Sequence, residues 1–281
     1  MTAFATCPED QLAHYTCFRT PRPPGIDGRL DDPVWEKAQK SRPFVDLVTE
    51  GPAFLETRMA ALYDDTCLYI GYWVEEPDVR ASLTERDSYL WTENDVELFI
   101  AGSGCYYELQ VNALGTIYEV FYIWQDAYHP NGYFDRPEFD LRTHDVDILG
   151  GFQDGMRHRK HPRGKRWAFM DWDFPGLRTA VHVNGTLNDS RDIDKGWTVE
   201  MAFPWKGMAL LAEGRSLPPR NGDVWRMDFS RFEALSIGGR RIEPAPGWAL
   251  NKHGVYDSHI PECFSFIHFS DRPIEQAGLM S

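Results

Sequence analysis

Apolar and polar positions alternate along most of this chain. In "DVELFIA", Val96, Leu98 and Ile100 share one face while Asp95, Glu97 and Phe99 share the other, the period-2 signature of a strand. "ETRMAALYD" and "CLYIGYWVEE" behave likewise, and Asp64-Asp65-Thr66 between them predicts a hairpin. "YYELQVNALG" and "IYEVFYIW" continue the meander. The pattern resumes in "RTAVHVNG", "GWTVEMAFPW", "DVWRMDFSRFEA" and "CFSFIHFS". Helix is sparse: "DDPVWEKA" predicts a short one, with Asp31 or Asp32 as N-cap and Pro33 at its first position, and "WKGMALLAEG" a second. About ten strands with so little helix predict an all-β fold, an antiparallel β-sandwich of the jelly-roll-like kind. From Gln125 to Gly176 the alternation stops in favour of Pro, Gly, His, Arg and Asp, which predicts a long loop insertion. No repeat or linker divides the rest, so residues 1–24 read as an N-terminal extension and 25–281 as a single domain.

Composition narrows the functional classes. At 281 residues and 42% hydrophobic content the chain can bury one large core. A formal net charge of -14 disfavours nucleic acid and anionic membrane as partners and leaves neutral ligands as the better match; the oligomeric state is not legible. Five scattered cysteines without a CxxC spacing predict neither a disulfide framework nor a zinc site, and no signature of an organic cofactor is present. "MTAFATCPEDQLAHY" has no basic region followed by an apolar stretch, so the chain as written reads as cytoplasmic; a leader removed beforehand would make it secreted. Aromatic residues make up 14%, with 10 Trp, more than turns and surfaces need. Most should fill a β core, and a minority should be surface platforms.

One of those tryptophans is oddly placed. Trp91, flanked by Thr92, Glu93 and Asn94, sits in the turn just before the strand that carries Glu97. It is either a lid over the sandwich edge or a platform for a ligand. Parity places Tyr106, Glu108, Gln110 and Asn112 on the polar face of "YYELQVN", which makes Gln110 and Asn112 outward amides near Glu97. Arg231 is a candidate fork donor to two hydroxyls, or else an ion-pair partner of Glu97. Trp248, in "APGWALNKHG", reads as a loop residue with no strand face to fill. Asp189, Asp192 and Asp194 crowd one turn of "LNDSRDIDKG"; aspartates supply hard oxygens for calcium, but they also cap turns. The run "RHRKHPRGKR", residues 157–166, is a solvated loop or a patch for an acidic sugar.

Seven pieces, in this order, resemble the family 9 carbohydrate-binding modules and their free-standing relatives: "IDGRLDDPVWEKA", "LYDDTCLYIGYWVEEPDV", "ENDVELFI", "YYELQVNALGTIYE", "GTLNDSRDIDKGWTVEMAFPW", "GDVWRMDFSRFE" and "HIPECFSFIHFS". The resemblance implies a β-sandwich that binds a mono- or oligosaccharide without cleaving it, in polysaccharide catabolism, often with structural calcium. It implies a sugar stacked between two tryptophans. Trp91 is similar in placement to the first and Trp248 is assigned as the second, with Trp172 and Trp167 as substitutes. Glu97, Gln110, Asn112 and Arg231 would then contact hydroxyls, and Asp189, Asp192 and Asp194 would hold the metal. Trp73, Trp197 and Trp225 read as packing residues.

Two other classes remain. A glycoside hydrolase, or a subunit associated with one, would act through paired carboxylates, Glu97 with Glu108, Glu119 or Glu200. A haem-holding sandwich would need a Met or His ligand that the sequence does not mark. Against hydrolysis, Glu97 follows Asn94 and Asp95 on a polar strand face and is expected to stay ionised.

Overall fold

A computed structural model describes residues 7–150, 161–237 and 240–274. In chain order the strands are β1 (His14–Arg19), β2 (Val45–Asp46), β3 (Thr57–Tyr63), β4 (Cys67–Val74), β5 (Asp95–Ala101), β6 (Cys105–Val111), β7 (Ile117–Trp124), β8 (Val146–Leu149), β9 (Arg166–Phe169), β10 (Arg178–Asn184), β11 (Gly196–Pro204), β12 (Val224–Phe232), β13 (Ser236–Ile237), β14 (Arg240–Arg241), β15 (Gly247–Ala249) and β16 (Ser265–Pro273). Two short helices are present, α1 (Pro33–Lys37) and α2 (Ala209–Ala212). Asp32 caps α1 through its side chain, which accepts from the Val34 amide at 3.1 Å, with Pro33 at the first position as the sequence predicts.

The main sheet runs β10-β11-β4-β3-β1-β16-β12-β5-β6-β7-β9-β8 and folds over on itself. The inward residues of β3, β4 and β11 meet those of β5, β6 and β12 in one buried cluster. Tyr72 packs against Phe229, Tyr107 against Phe203, and the Tyr72 hydroxyl donates to the Glu97 carbonyl at 2.7 Å. The result is the expected β-sandwich, because each strand's alternation leaves one apolar face that only a second layer can bury.

The pairing is not purely antiparallel. β1 lies parallel to both β16 and β3, so the sheet is mixed. The segment expected to be an N-terminal extension thus supplies a strand in the middle of the sheet: Tyr15 and Cys17 point into the core, and the Tyr15 hydroxyl donates to the Gln39 carbonyl. "IDGRLDDPVWEKA" is held against β11 by one carboxylate. Glu200 accepts from the Asp27 and Gly28 amides at 2.8 and 2.7 Å and from the Trp35 indole at 2.7 Å.

The stretch from Gln125 to Gly176 is also more than a loop. Its described residues include β8 and β9, which extend the sheet beyond β7, while residues 151–160 lie outside the description. Glu119 holds the end of this stretch down, accepting from the Phe174 amide at 2.8 Å and the Tyr107 hydroxyl at 2.7 Å and pairing with Arg86. Cys7 is joined to Cys263 in a disulfide, which the odd cysteine count did not reveal; Cys17, Cys67 and Cys105 are buried thiols. No helix among the described residues is long and apolar enough to cross a membrane.

Candidate functional site

The outer face of β12, β5, β6, β7, β9 and β8 is a continuous surface whose side chains fall in rows fixed by strand register. One row is Ser230, Glu97, Gln110 and Tyr118; a row further along is Ala101, Tyr106, Tyr122, Ala168 and Asp147. Between them, Phe99 stands beside Glu108. Over β5, β6 and β7 this face is largely covered. Segments carrying Tyr89 and Trp91 on one side and Tyr256 to His259 on another enclose a cavity of about 360 Å³ above it. That volume is near the lower end of the ligand-pocket range of about 300–1,000 Å³.

Trp91 sits at the rim. Leu90, fully buried among Phe99, Tyr118 and Val120, anchors the short helical turn Leu90–Thr92, and the residues on either side of it turn outward. Trp91 is 42% exposed, stacks on Tyr89 at 4.4 Å between ring centres, and meets Tyr118 edge-on at 5.0 Å. The turn itself is fixed by Glu93, which accepts from Ser82 and from Asn112 at 2.8 Å each.

The floor is acidic and its side chains are buried. Gln110 Nε2 donates to Glu97 Oε1 at 3.0 Å and to Glu108 Oε1 at 2.7 Å, so one amide bridges both carboxyl groups. Ser230 donates to Glu97 Oε2 at 3.0 Å and Tyr122 to Glu108 Oε2 at 2.7 Å. Glu97 is only 3% exposed, which corrects the expectation of an ionised group on a wet strand face. Burial, then the neighbouring Asp95 and Glu108 charges, push its carboxyl well above the usual range, and burial pushes Glu108 up to about 7. His259 completes the wall. Tyr106 holds its Nδ1 at 3.1 Å, its Nε2 stands 3.9 Å from Glu108, and burial with Arg166 nearby lowers it to about 3, so the ring is neutral. Met170 lines the same cavity.

The remaining expected ligand residues go elsewhere. Trp248 is not a second wall: β15 makes it a strand residue opposite Arg231, 2% exposed, with its ring against Phe54 and beneath the Arg231 guanidinium. Three residues are too few for alternation to show. Trp167 and Trp172 do not replace it, since both pack partly buried against the core and the intervening Ala168 and Met170 face the cavity instead. Arg231 pairs in register with Val96, one residue off Glu97, and so points to the other face, where it meets Glu233 at 2.7 Å and Glu76 at 3.5 Å. Neither expected role fits it. Asn112 is spent on local structure, donating to the Leu83 carbonyl and accepting from the Leu114 and Thr116 amides.

The expected calcium turn is not assembled. Asp189 is paired with Arg191, Asp192 accepts from the Thr186 hydroxyl, and Asp194 accepts from the Val79 and Thr186 amides. With the three carboxylates committed to separate partners, these residues do not fit a calcium ion, and no group of three or more metal-ligating side chains occurs among the described residues. Of the basic run, Arg157 to Lys160 lie outside the described residues. His161 packs on Trp124, Arg163 pairs with Asp126, and Arg166 is buried. Among the carboxylate pairs, only Glu108 stands beside Glu97; Glu119 and Glu200 serve the clasps described above.

Residues 49–127 match the family model described as carbohydrate-binding family 9. The chain is similar to that family. The matched stretch carries Tyr89 and Trp91 at the rim and Glu97, Glu108, Gln110, Tyr118 and Tyr122 on the floor. Among solved structures, a protein from Bacteroides uniformis ATCC 8492 provisionally described as carbohydrate-binding aligns with a TM-score of 0.56 at 12% identity, covering 92% of this chain and 100% of that one. A family 9 module from Caldicellulosiruptor kristjanssonii in complex with glucose aligns at 0.50 and 15%, covering 92% and 96%. The cellotriose complex from the same organism aligns at 0.50 and 15%, covering 92% and 94%. At these identities the likeness is one of fold. No curated protein matches the chain.

Sequence reasoning singled out Trp91, Glu97 and Gln110, and the structure brings these three to one cavity. It missed Tyr89, Tyr118, Tyr122, Tyr256, Ser258 and His259 as lining residues. The parity of "IYEVFYIW" was the available signal for two of them, because Tyr118 and Tyr122 oppose Phe121 and Ile123.

Proposed function

We propose that this chain binds a carbohydrate, without cleaving it, in the cavity over β5, β6 and β7. The observation that carries the reading is one site combining an exposed indole platform, Trp91, with the hydrogen-bonding floor of Glu97, Gln110 and Glu108. Sugar rings have apolar C–H faces and hydroxyl edges, and this pairing matches both. The glucose and cellotriose bound by the Caldicellulosiruptor family 9 module support a sugar as the ligand class. Tyr89 already stacks on Trp91 at 4.4 Å, so the wall facing Trp91 across the sugar would come from the 256–259 segment rather than from a second tryptophan.

The arrangement favours recognition over hydrolysis. Glu97 and Glu108 rise from the same floor and share one amide donor, so they approach a bound ring from the same side, whereas glycoside hydrolysis needs proton delivery and attack from opposite sides. The Cys7–Cys263 disulfide suits an oxidising compartment, which favours the secreted reading over the cytoplasmic one. The test is titration of intrinsic tryptophan fluorescence with glucose and cello-oligosaccharides, alongside a reducing-sugar release assay. Saturable fluorescence change without release supports the reading; release that vanishes in Glu97→Gln makes the protein a hydrolase.

A further inference from the structure

The chemistry of the cavity is unbalanced. Its lining carries four carboxyl groups, Glu97, Glu108, Asp147 and Asp257, and among the described residues no lysine or arginine. Two arginines reach its surroundings without lining it: Arg166 donates to the His259 carbonyl at 3.1 Å and keeps Nε and Nη2 buried without a partner, and Arg241 donates to the Thr92 carbonyl at 3.0 Å and pairs with Glu243. The Gln110 amide is oriented by the two carboxyl groups that share its Nε2, and this leaves its Oε1 buried with no hydrogen-bond partner on the cavity floor. Each carboxylate accepts two hydrogen bonds there, and a carboxylate has about four lone-pair sites. Around these three side chains acceptors therefore exceed donors, framed by the rings of Phe99, Tyr118 and Tyr122, with the Ser258 hydroxyl an unpartnered group elsewhere on the lining.

We infer that the cavity selects an amine-bearing sugar over a neutral or acidic one, with the ammonium group seated on Glu97, Glu108 and the Gln110 carbonyl oxygen. This deepens the carbohydrate reading and rests on it. A hydroxyl brings one proton and two lone pairs, and the lone pairs need donors that the Glu97 and Glu108 carboxylates and the Gln110 oxygen do not supply. An ammonium brings three donors and no acceptor, so it satisfies Gln110 Oε1 and both carboxylates together. Burial and the neighbouring carboxyl hold Glu97 and Glu108 toward their neutral forms; a cation seated between them favours the ionised pair and offsets both the repulsion and the poor solvation. Aromatic faces within reach add a cation–π contribution. An acidic sugar would meet only like charge among the described lining residues.

The test is calorimetric titration of the full chain, near neutral pH, with glucosamine, glucose, N-acetylglucosamine and glucuronate. Glucosamine is expected to bind at least about tenfold tighter than glucose or N-acetylglucosamine, with glucuronate weakest. Glu108→Gln is expected to narrow the gap between glucosamine and glucose. Equal affinity for glucose and glucosamine, or a preference for glucuronate, overturns the inference and leaves the carbohydrate reading standing. Failure of every sugar to bind overturns both. The wild-type ranking decides the matter by itself, so a variant that does not fold leaves the test intact.

Discussion

Gln110 stands directly across from Glu97 on the neighbouring strand and donates Nε2 to it at 3.0 Å, while the same nitrogen reaches Glu108 at 2.7 Å. This amide is what lets two carboxyl groups lie buried on one sheet face. Removing it leaves polar oxygens without a donor in a place water reaches poorly. Gln110→Ala should therefore lose about 1–3 kcal/mol in urea denaturation, and an unchanged midpoint would mean that the carboxyl groups do not depend on it.

The same burial sets a pH dependence. Glu108 moves from 4.5 to about 7 on folding, and Glu97 moves in the same direction. Between the two values the folded state keeps a proton that the unfolded state has lost. Stability should thus fall as pH rises from about 4.5 through about 7, by at most about 1.4 kcal/mol per pH unit for each such group. Glu76, raised to about 7, contributes with the same sign. Thermal melts across this range should show a shallower decline in Glu108→Gln than in wild type; identical slopes would place the titrating group elsewhere.

Arg231 is a structural residue. It is fully buried between Glu233 and Glu76 and also donates to Thr57 and the Glu75 carbonyl. Arg231→Met should lose about 3–5 kcal/mol because two carboxylates remain without their cation, while sugar affinity of the folded fraction stays unchanged. A stable variant that no longer binds would return Arg231 to the site.

The disulfide can be counted. Of the five cysteines, Cys17, Cys67 and Cys105 are free, so a thiol titration of the unfolded, unreduced protein should find three groups. Because Cys7 and Cys263 close almost the whole chain into a loop, reduction should lower stability by about 2–4 kcal/mol, and Cys7→Ser should abolish the effect of reductant. Five reactive thiols in the unreduced protein would contradict the pairing.

Strands long enough to show alternation were legible: β3 to β7, β10 to β12 and β16 follow from their period-2 patterns, and the Asp32 cap and Pro33 mark α1. What escaped was decided by partners distant in sequence. β1 reads poorly because its alternation rests on two buried residues, Tyr15 and Cys17, and β15 is three residues long. In the site, parity correctly put Glu97 and Gln110 on one face, but parity cannot say that a face is roofed. The 89–92 and 256–259 segments do that, which is why a polar face became a buried acidic floor. Arg231 was misjudged by a single residue of register, since Ser230, and not its neighbour, faces Glu97. Trp248 was misjudged because a loop composition concealed a short strand.

Binding of a sugar at the Trp91 rim is decided by calorimetric titration of a ligand from the sugar panel into wild type and Trp91→Ala. Sugar stacked on the indole predicts saturable binding to wild type and a loss of about 1–3 kcal/mol, roughly a factor of five to a hundred and fifty in affinity, in the variant. Unaltered affinity in Trp91→Ala, or no binding to wild type by any sugar, would contradict it.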